Sequence, residues 1–255
     1  MFLGGYKEMK LVIADAKQFK HSIEAVVNLI DEGLFEVNDN GLHLRAMDPS
    51  QIAMVDFLIP KTGFAEFEAE QSNLSLNLVD FLKILARTRN DEQLTLTVEE
   101  KESKCVLEFT SPNGKRSVRL PLMDLAASAP REPKITFDTT LKIRGGTFKE
   151  MLKDAGLLSS HVILSAEGEQ FVIEAKGDSG DLRIESGKNS PNVAELTNTA
   201  KSRAMFPFEY LDNMTKACPE DSMLELYLKS DAPVKIAYTV GQAKLAYFLA
   251  PRVES

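Results

Sequence analysis

The stretch Thr147-Phe148-Lys149-Glu150-Met151-Leu152-Lys153 decides the reading of this chain. Phe148, Met151 and Leu152 recur at helical spacing, and a threonine three residues before a glutamate is the reciprocal cap of a helix N-terminus, so a helix beginning at Thr147 is expected. An earlier stretch has the same design. From about Asp15 to Ile30, Phe19, Ile23, Val26, Val27 and Ile30 share one face, with Asp15 and Gln18 placed as a cap. Phe19 precedes Phe148 by 129 positions. Two further helical stretches follow the same rule. One runs from about Asn77 to Arg87 and turns Leu78, Phe81, Leu82 and Leu85 inward. The other begins near Pro207, turns Tyr210, Leu211 and Met214 inward, and stops at Pro219. Phe81 precedes Tyr210 by 129 positions as well.

Most of the remaining chain alternates apolar and polar residues, as strands do. Leu94, Leu96 and Val98 return 130 positions later as Leu224, Leu226 and Leu228. Asn40-Gly41, Asn113-Gly114 and Asp178-Ser179-Gly180 supply tight hairpin turns. Two halves with one order of elements imply a duplicated α+β chain, in which two similar domains each pack two helices on one face of a mostly antiparallel sheet. The expected boundaries are 9–122 and 134–255. An aperiodic connector, 123–133, holds Ala126, Ala127, Ser128, Ala129, Pro130 and Pro133.

Composition narrows the function. No run approaches the roughly 18 apolar residues of a membrane span, and the N-terminus lacks the apolar core of a secretory signal. An intracellular place is expected, cytoplasmic or, in a nucleated cell, nuclear. Cys105 and Cys218 lie far apart without a CxxC partner, so neither a disulfide framework nor a structural zinc site is expected, and both thiols should be buried and reduced.

A formal net charge of −8 argues against a broad basic surface, yet the basic residues are sorted. Lys17, Lys20 and His21 face outward on the first helix. Lys83 and Arg87 do so on the second, with Arg89 next, then Lys149 and Lys153 on the third and Lys216 at the end of the fourth. Glu24, Glu150, Asp154, Glu209 and Asp212 share these faces. For any one helix a solvated charged face is account enough, whereas recurrence over four helices suits weak, sequence-independent contact with phosphates. Nothing resembles a base-reading helix, a stacking platform or a metal finger.

An enzyme is not expected. His21, His43 and His161 lie in separate elements, and no phosphate loop, nucleophile elbow or HExxH motif occurs. The Gly145-Gly146 pair reads as a bend into the third helix. No cofactor or metal is implied. Because 38 acidic residues offer many spatial pairs, an α+β hydrolase remains the alternative from another class.

Gly41-Leu42, Ala46-Met47-Asp48-Pro49-Ser50, Lys83-Ile84-Leu85, Pro233-Val234-Lys235-Ile236-Ala237-Tyr238 and Leu249-Ala250-Pro251-Arg252 occur in this order. From Met9 to the C-terminus the chain thereby resembles DNA sliding clamps of the proliferating cell nuclear antigen family, archaeal type, with residues 1–8 outside the resemblance. The resemblance implies the DNA clamp fold and a ring of three subunits around duplex DNA. Such a ring would tether DNA polymerase for processive synthesis and would meet a clamp loader and replication and repair clients through short peptides. A subunit of a heterotrimeric or damage-response clamp is the alternative within the family.

Carried over by position, Lys20, Lys83, Lys153 and Lys216 face DNA, with Lys17, Arg87, Arg89 and Lys149 as their neighbours by helix spacing. Glu209 stands where some relatives have arginine. The implied docking wall for client peptides is Met47, Ile52, Met54, Leu125, Pro233, Phe248, Ala250 and Pro251, with Gln51 at its rim; from the residues alone, Met47 and Met54 read as core. Pro130 and Glu132 replace the bulky aliphatic residues that relatives often place in the connector. Ring closure would pair the edge strands 116–120 and 181–185, with Val118 and Leu120 facing Leu182 and Ile184.

Overall fold

The structure is a computed structural model that describes residues 9–125 and 129–252. The extension 1–8 and the connector residues Ala126, Ala127 and Ser128 therefore lie outside the described residues. The chain divides into two compact units. The described residues of 1–46, 56–130 and 241–244 form the first, and those of 47–55, 131–240 and 245–255 the second.

The first half of the chain runs β1 (Lys10–Ile13), α1 (Ala16–Val27), β2 (Glu32–Asn38), β3 (Gly41–Met47), β4 (Ala53–Pro60), β5 (Glu66–Glu68), β6 (Ser72–Asn77), α2 (Leu78–Leu85), β7 (Gln93–Glu99), β8 (Lys104–Ser111) and β9 (Gly114–Pro121). The second runs β10 (Thr139–Arg144), α3 (Gly145–Gly156), β11 (His161–Glu167), β12 (Gln170–Gly177), β13 (Gly180–Gly187), β14 (Val193–Asn198), β15 (Ser202–Pro207), α4 (Phe208–Thr215), β16 (Met223–Leu228), β17 (Val234–Val240) and β18 (Ala243–Leu249).

Pairing follows one plan in both halves, and each of the following pairs is antiparallel. In the first, β1 lies between β5 and β7, β8 joins β7 to β9, and β2 lies between β3 and β6. In the second, β10 lies between β14 and β16, β16 pairs with β17, and β11 lies between β12 and β15. Turns at Gly41, Gly114 and Gly180 carry the positive φ that the sequence suggests.

Aromatic contacts join the two helices of the first unit and seat one helix of the second on its sheet. Phe19 of α1 meets Phe81 of α2 edge-on at 6.1 Å, and Phe148 of α3 meets Phe171 of β12 at 6.3 Å. Asp15 caps α1 as expected, its carboxylate accepting the Gln18 N–H. Asn77 caps α2 through the Asp80 N–H.

Two expectations are corrected. Helix α3 begins at Gly145, not Thr147, and has no side-chain cap. Its free N–H groups are satisfied by backbone instead, Gly145 donating to Ser222 O at 2.8 Å and Gly146 to Glu220 O at 2.9 Å. That approach requires glycine, because a Cβ at 145 would lie 2.6 Å from Cys218 Sγ. The threonine is thus superfluous as a cap, and Glu150 pairs forward with Lys153.

The second correction concerns register. Helices α1 and α3 start 129 positions apart, but α2 and α4 start at Leu78 and Phe208, 130 apart. The buried counterpart of Phe81 is therefore Leu211, and Tyr210 is only half-buried, because the second half has one residue more between its helices.

Both cysteines are buried free thiols. Burial pushes Cys105 up to about 12 and Cys218 to about 11, the latter despite Lys149 nearby. Among the described residues, no helix is long and apolar enough to cross a membrane.

Candidate functional site

Amphipathic helices leave their cations at the surface of each unit. On α1, Lys17 is exposed, 3.4 Å from Asn90 Oδ1, and the half-buried Lys20 lies 3.1 Å from Glu24. On α2, Lys83 pairs with Asp80 at 2.8 Å, while Arg87 and Arg89 are exposed beyond its end. On α3, Lys153 pairs with Glu150 at 2.8 Å. These exposed pairs sit in high dielectric and are weak, so a phosphate could displace the carboxylate.

Lys149 departs from its neighbours. Its ammonium donates to Cys218 O at 2.9 Å and is partly buried, which ties α3 to the turn after α4 and leaves fewer donors for a ligand. Lys216 is exposed at the C-cap of α4, where the helix dipole favours a cation, and Glu209 is exposed on the same helix.

A second constellation centres on Asp48, which sequence reasoning missed. Its carboxylate is buried and accepts four hydrogen bonds: Ile52 N–H (2.8 Å) and Ala53 N–H (2.7 Å) at Oδ1, Ser50 N–H (3.0 Å) and the Tyr210 hydroxyl (2.8 Å) at Oδ2. Burial opposes ionisation of Asp48, but these donors outweigh it and hold the carboxyl below the usual carboxylate range. Loop 48–53 is thereby wrapped around one anion. Gln51 N–H donates to Asp48 O, Gln51 takes a left-handed φ of 57°, and Ile52 O accepts the Ala250 N–H at 2.9 Å. Asp48-Pro49-Ser50 is a turn signal that could have revealed the local part of this. The bond from Tyr210, 162 residues away, has no such signal.

Around this loop the expected docking residues separate into two groups. Met47 and Gln51 are exposed, and Ile52, Pro233, Ala250 and Pro251 are half-buried. Met54 and Phe248 are 2% and 4% exposed, so these two expected docking residues are core residues that present almost no surface. Lys235 lies over the Phe248 ring at 5.2 Å and pairs with Glu132 at 3.2 Å. Leu125 belongs to the first unit, where it is half-buried.

The strands expected at the subunit edges lie at the margins of their own sheets: β9 ends the order β5-β1-β7-β8-β9, and β13 begins the order β13-β12-β11-β15. Val118, Leu120, Leu182 and Ile184 are half-buried on one face of these strands, and Lys115, Arg119, Asp181 and Arg183 are exposed on the other. Within β9, Arg116 was not singled out by sequence. It stacks 3.9 Å from the Phe109 ring centroid, donates to Arg87 O, and pairs at 2.9 Å with Glu92, a carboxylate only 4% exposed that also accepts the Arg89 N–H.

Comparison with known proteins covers nearly the whole chain. Residues 8–129 match the family model for the proliferating cell nuclear antigen N-terminal domain, and residues 132–253 match that for its C-terminal domain. A DNA polymerase sliding clamp of Methanococcus maripaludis is 38% identical over 247 residues, covering 94% of this chain and 98% of that protein. One from Thermofilum pendens is 32% identical over 249 residues, covering 96% and 100%. Among solved structures, A. fulgidus PCNA bound to the C-terminal region of FEN-1 superposes with a TM-score of 0.87 at 28% identity, covering 97% of this chain and 99% of that one. PCNA from Thermococcus kodakaraensis gives 0.90 at 23%, covering 96% and 100%, a likeness of fold.

Proposed function

Because the chain belongs to the proliferating cell nuclear antigen family, we propose that it is a sliding clamp subunit, three copies of which close into a ring around duplex DNA and hold DNA polymerase for processive synthesis. The observation that carries this reading is the twofold repetition of one fold, each copy with a helix pair that bears exposed or partly exposed cations. Inside a ring, Lys20, Lys83, Arg87, Arg89, Lys153 and Lys216 would meet phosphates from all sides, while an overall charge of −8 per chain leaves the outer surface acidic.

Retention then follows from topology. Enclosure keeps the ring on DNA without a tight grip, and weak contacts that favour no base permit sliding. The role is that of a tether within the cell, not of a catalyst. Client proteins would insert an apolar anchor against Met47, Ile52, Pro233, Ala250 and Pro251, a wall whose methionine repacks readily and whose alanine leaves room. The FEN-1 C-terminal region seen on the A. fulgidus relative is the kind of partner this surface suits.

Electron microscopy of the purified protein should show a closed annulus, and its mass in solution should be three times 28.3 kDa. A chain that stays monomeric at micromolar concentration until related chains are added would replace the homotrimer with a heterotrimer. Reversing Lys20, Lys83 and Lys153 to glutamate should leave the annulus intact and reduce processivity at least severalfold. Unchanged processivity would remove these lysines from the DNA path.

A further inference from the structure

Tyr210 stands on α4, the element with the fewest basic residues of the four helices, and its phenol reaches away from the helix to a carboxylate 162 positions earlier in the chain. Both residues belong to the second unit. We propose that Tyr210 is a positioning residue for client binding: its hydroxyl completes the Asp48 hub and fixes the shape of loop 48–53, so that helix α4 and the docking loop behave as one piece. The proposal rests on the docking role given above to that loop.

The arithmetic of lone pairs carries the argument. A carboxylate offers about four acceptor positions, and Asp48 fills four. Three donors are N–H groups of the loop itself, which any Asp-initiated turn would provide. Only the fourth arrives from elsewhere in the fold, from a Tyr210 hydroxyl that also hydrogen-bonds the Ser50 side chain, and it links the loop to α4. The loop needs such an anchor, because Gln51 has a positive φ that a side chain rarely adopts. On the other side Ile52 O is held by Ala250 N–H, so the loop and the Ala250-Pro251 tail move together. The exposed Met47 and Gln51 and the half-buried Ile52 are the side chains that this framework aims.

Removing the hydroxyl leaves Oδ2 of a buried anion one donor short, and either water or a shifted Ser50 must replace it. The ring of Tyr210 would keep its packing. A loop loosened in this way pays ordering entropy when a peptide binds, and the loss falls on affinity while the fold stays intact.

The variant Tyr210→Phe tests this in the full-length protein. A synthetic peptide of the FEN-1 C-terminal region should bind about tenfold more weakly by calorimetry, with solution mass unchanged and the melting temperature lowered by only about 2–4 °C. Amide hydrogen exchange at Ser50, Ile52 and Ala53 should quicken severalfold. The pH at which the Asp48 carboxyl takes up its proton, followed by carbon NMR, should rise, since the hydroxyl favours the anion. Exchange and titration identical to the parent protein would overturn the proposal whatever the peptide does. Altered exchange and titration in a protein whose parent form does not bind the peptide would uphold the positioning role and remove the docking reading on its own.

Discussion

Helices α2 and α4 hold the same place in the two halves of the chain, yet they are secured by different chemistry. Asn77 caps α2, Phe81 is its buried anchor, and just beyond its end Arg116 on β9 binds Arg87 O and Glu92. Helix α4 has Pro207 at its N-cap with no side-chain bond, Leu211 as its buried anchor, and a phenol that binds Asp48. Duplication has kept the packing scheme, in which one face of a short helix must be apolar to close the core. It has freed the remaining faces, so that α2 is followed by a segment tied to the edge strand of the first unit, and α4 is tied to the proposed docking loop of the second, its own unit.

The largest expected effect sharpens the register on which this comparison stands. Phe81→Ala and Leu211→Ala each open a cavity in a fully buried site and should lower unfolding stability by about 3–5 and 2–5 kcal/mol respectively. Tyr210→Ala, at a half-buried site, should cost clearly less than Leu211→Ala in urea unfolding. Equal losses at 210 and 211 would restore the offset of 129 and undo the pairing of Phe81 with Leu211.

The same pair shows what a sequence discloses. Periodicity placed all four helices because burial of an apolar stripe is a local, repeated demand, and the duplication was legible in Phe19 and Phe148, which do correspond. The one-residue slip before α4 was hidden because Tyr210 and Leu211 are both apolar enough to face inward, and only the packed structure chooses between them. Thr147 misled for a related reason. Capping logic is local, whereas the N–H groups at Gly145 and Gly146 find carbonyls more than 70 positions away, at Ser222 and Glu220. The cationic helix faces could be listed from spacing, but the tether of Lys149 to Cys218 O could not. The resemblance implied a docking wall, while the burial of Met54 and Phe248, two of its expected members, depends on sheet packing.

A smaller effect tests whether the halves exchange volume between equivalent positions. Gly156 of α3 corresponds to Val27 of α1, and Phe208 of α4 to Leu78 of α2. A Cβ at Gly156 would lie 2.4 Å from Cζ of Phe208, so the second half has moved its bulk from one helix to the other. Gly156→Val should destabilise by about 1–3 kcal/mol through overpacking. Adding Phe208→Leu recreates the pair of the first half and should recover most of the loss. Failure of that rescue in thermal melts would mean that the two sites are not equivalent.

The smallest effect isolates the device that α2 has and α4 lacks. The Arg116 guanidinium hydrogen-bonded to Glu92 is the main reason that this carboxyl lies below its ordinary range; burial opposes the shift, and the Arg89 N–H adds to it. A carboxyl with a depressed native pKa contributes stability that is fully present above its unfolded value, near about 4.3, and is lost as pH falls through the lower native value. Glu92→Gln keeps the shape, removes the charge, and should cost about 1–2 kcal/mol at neutral pH, since Arg116 remains partly solvated. The difference between parent and variant should shrink as the pH of urea titrations is lowered through about 4 and below. A gap that stays constant over that range would assign the loss to altered packing around Arg116 and Phe109, and the ionic tie between β9 and the segment that follows α2 would cease to distinguish the two halves.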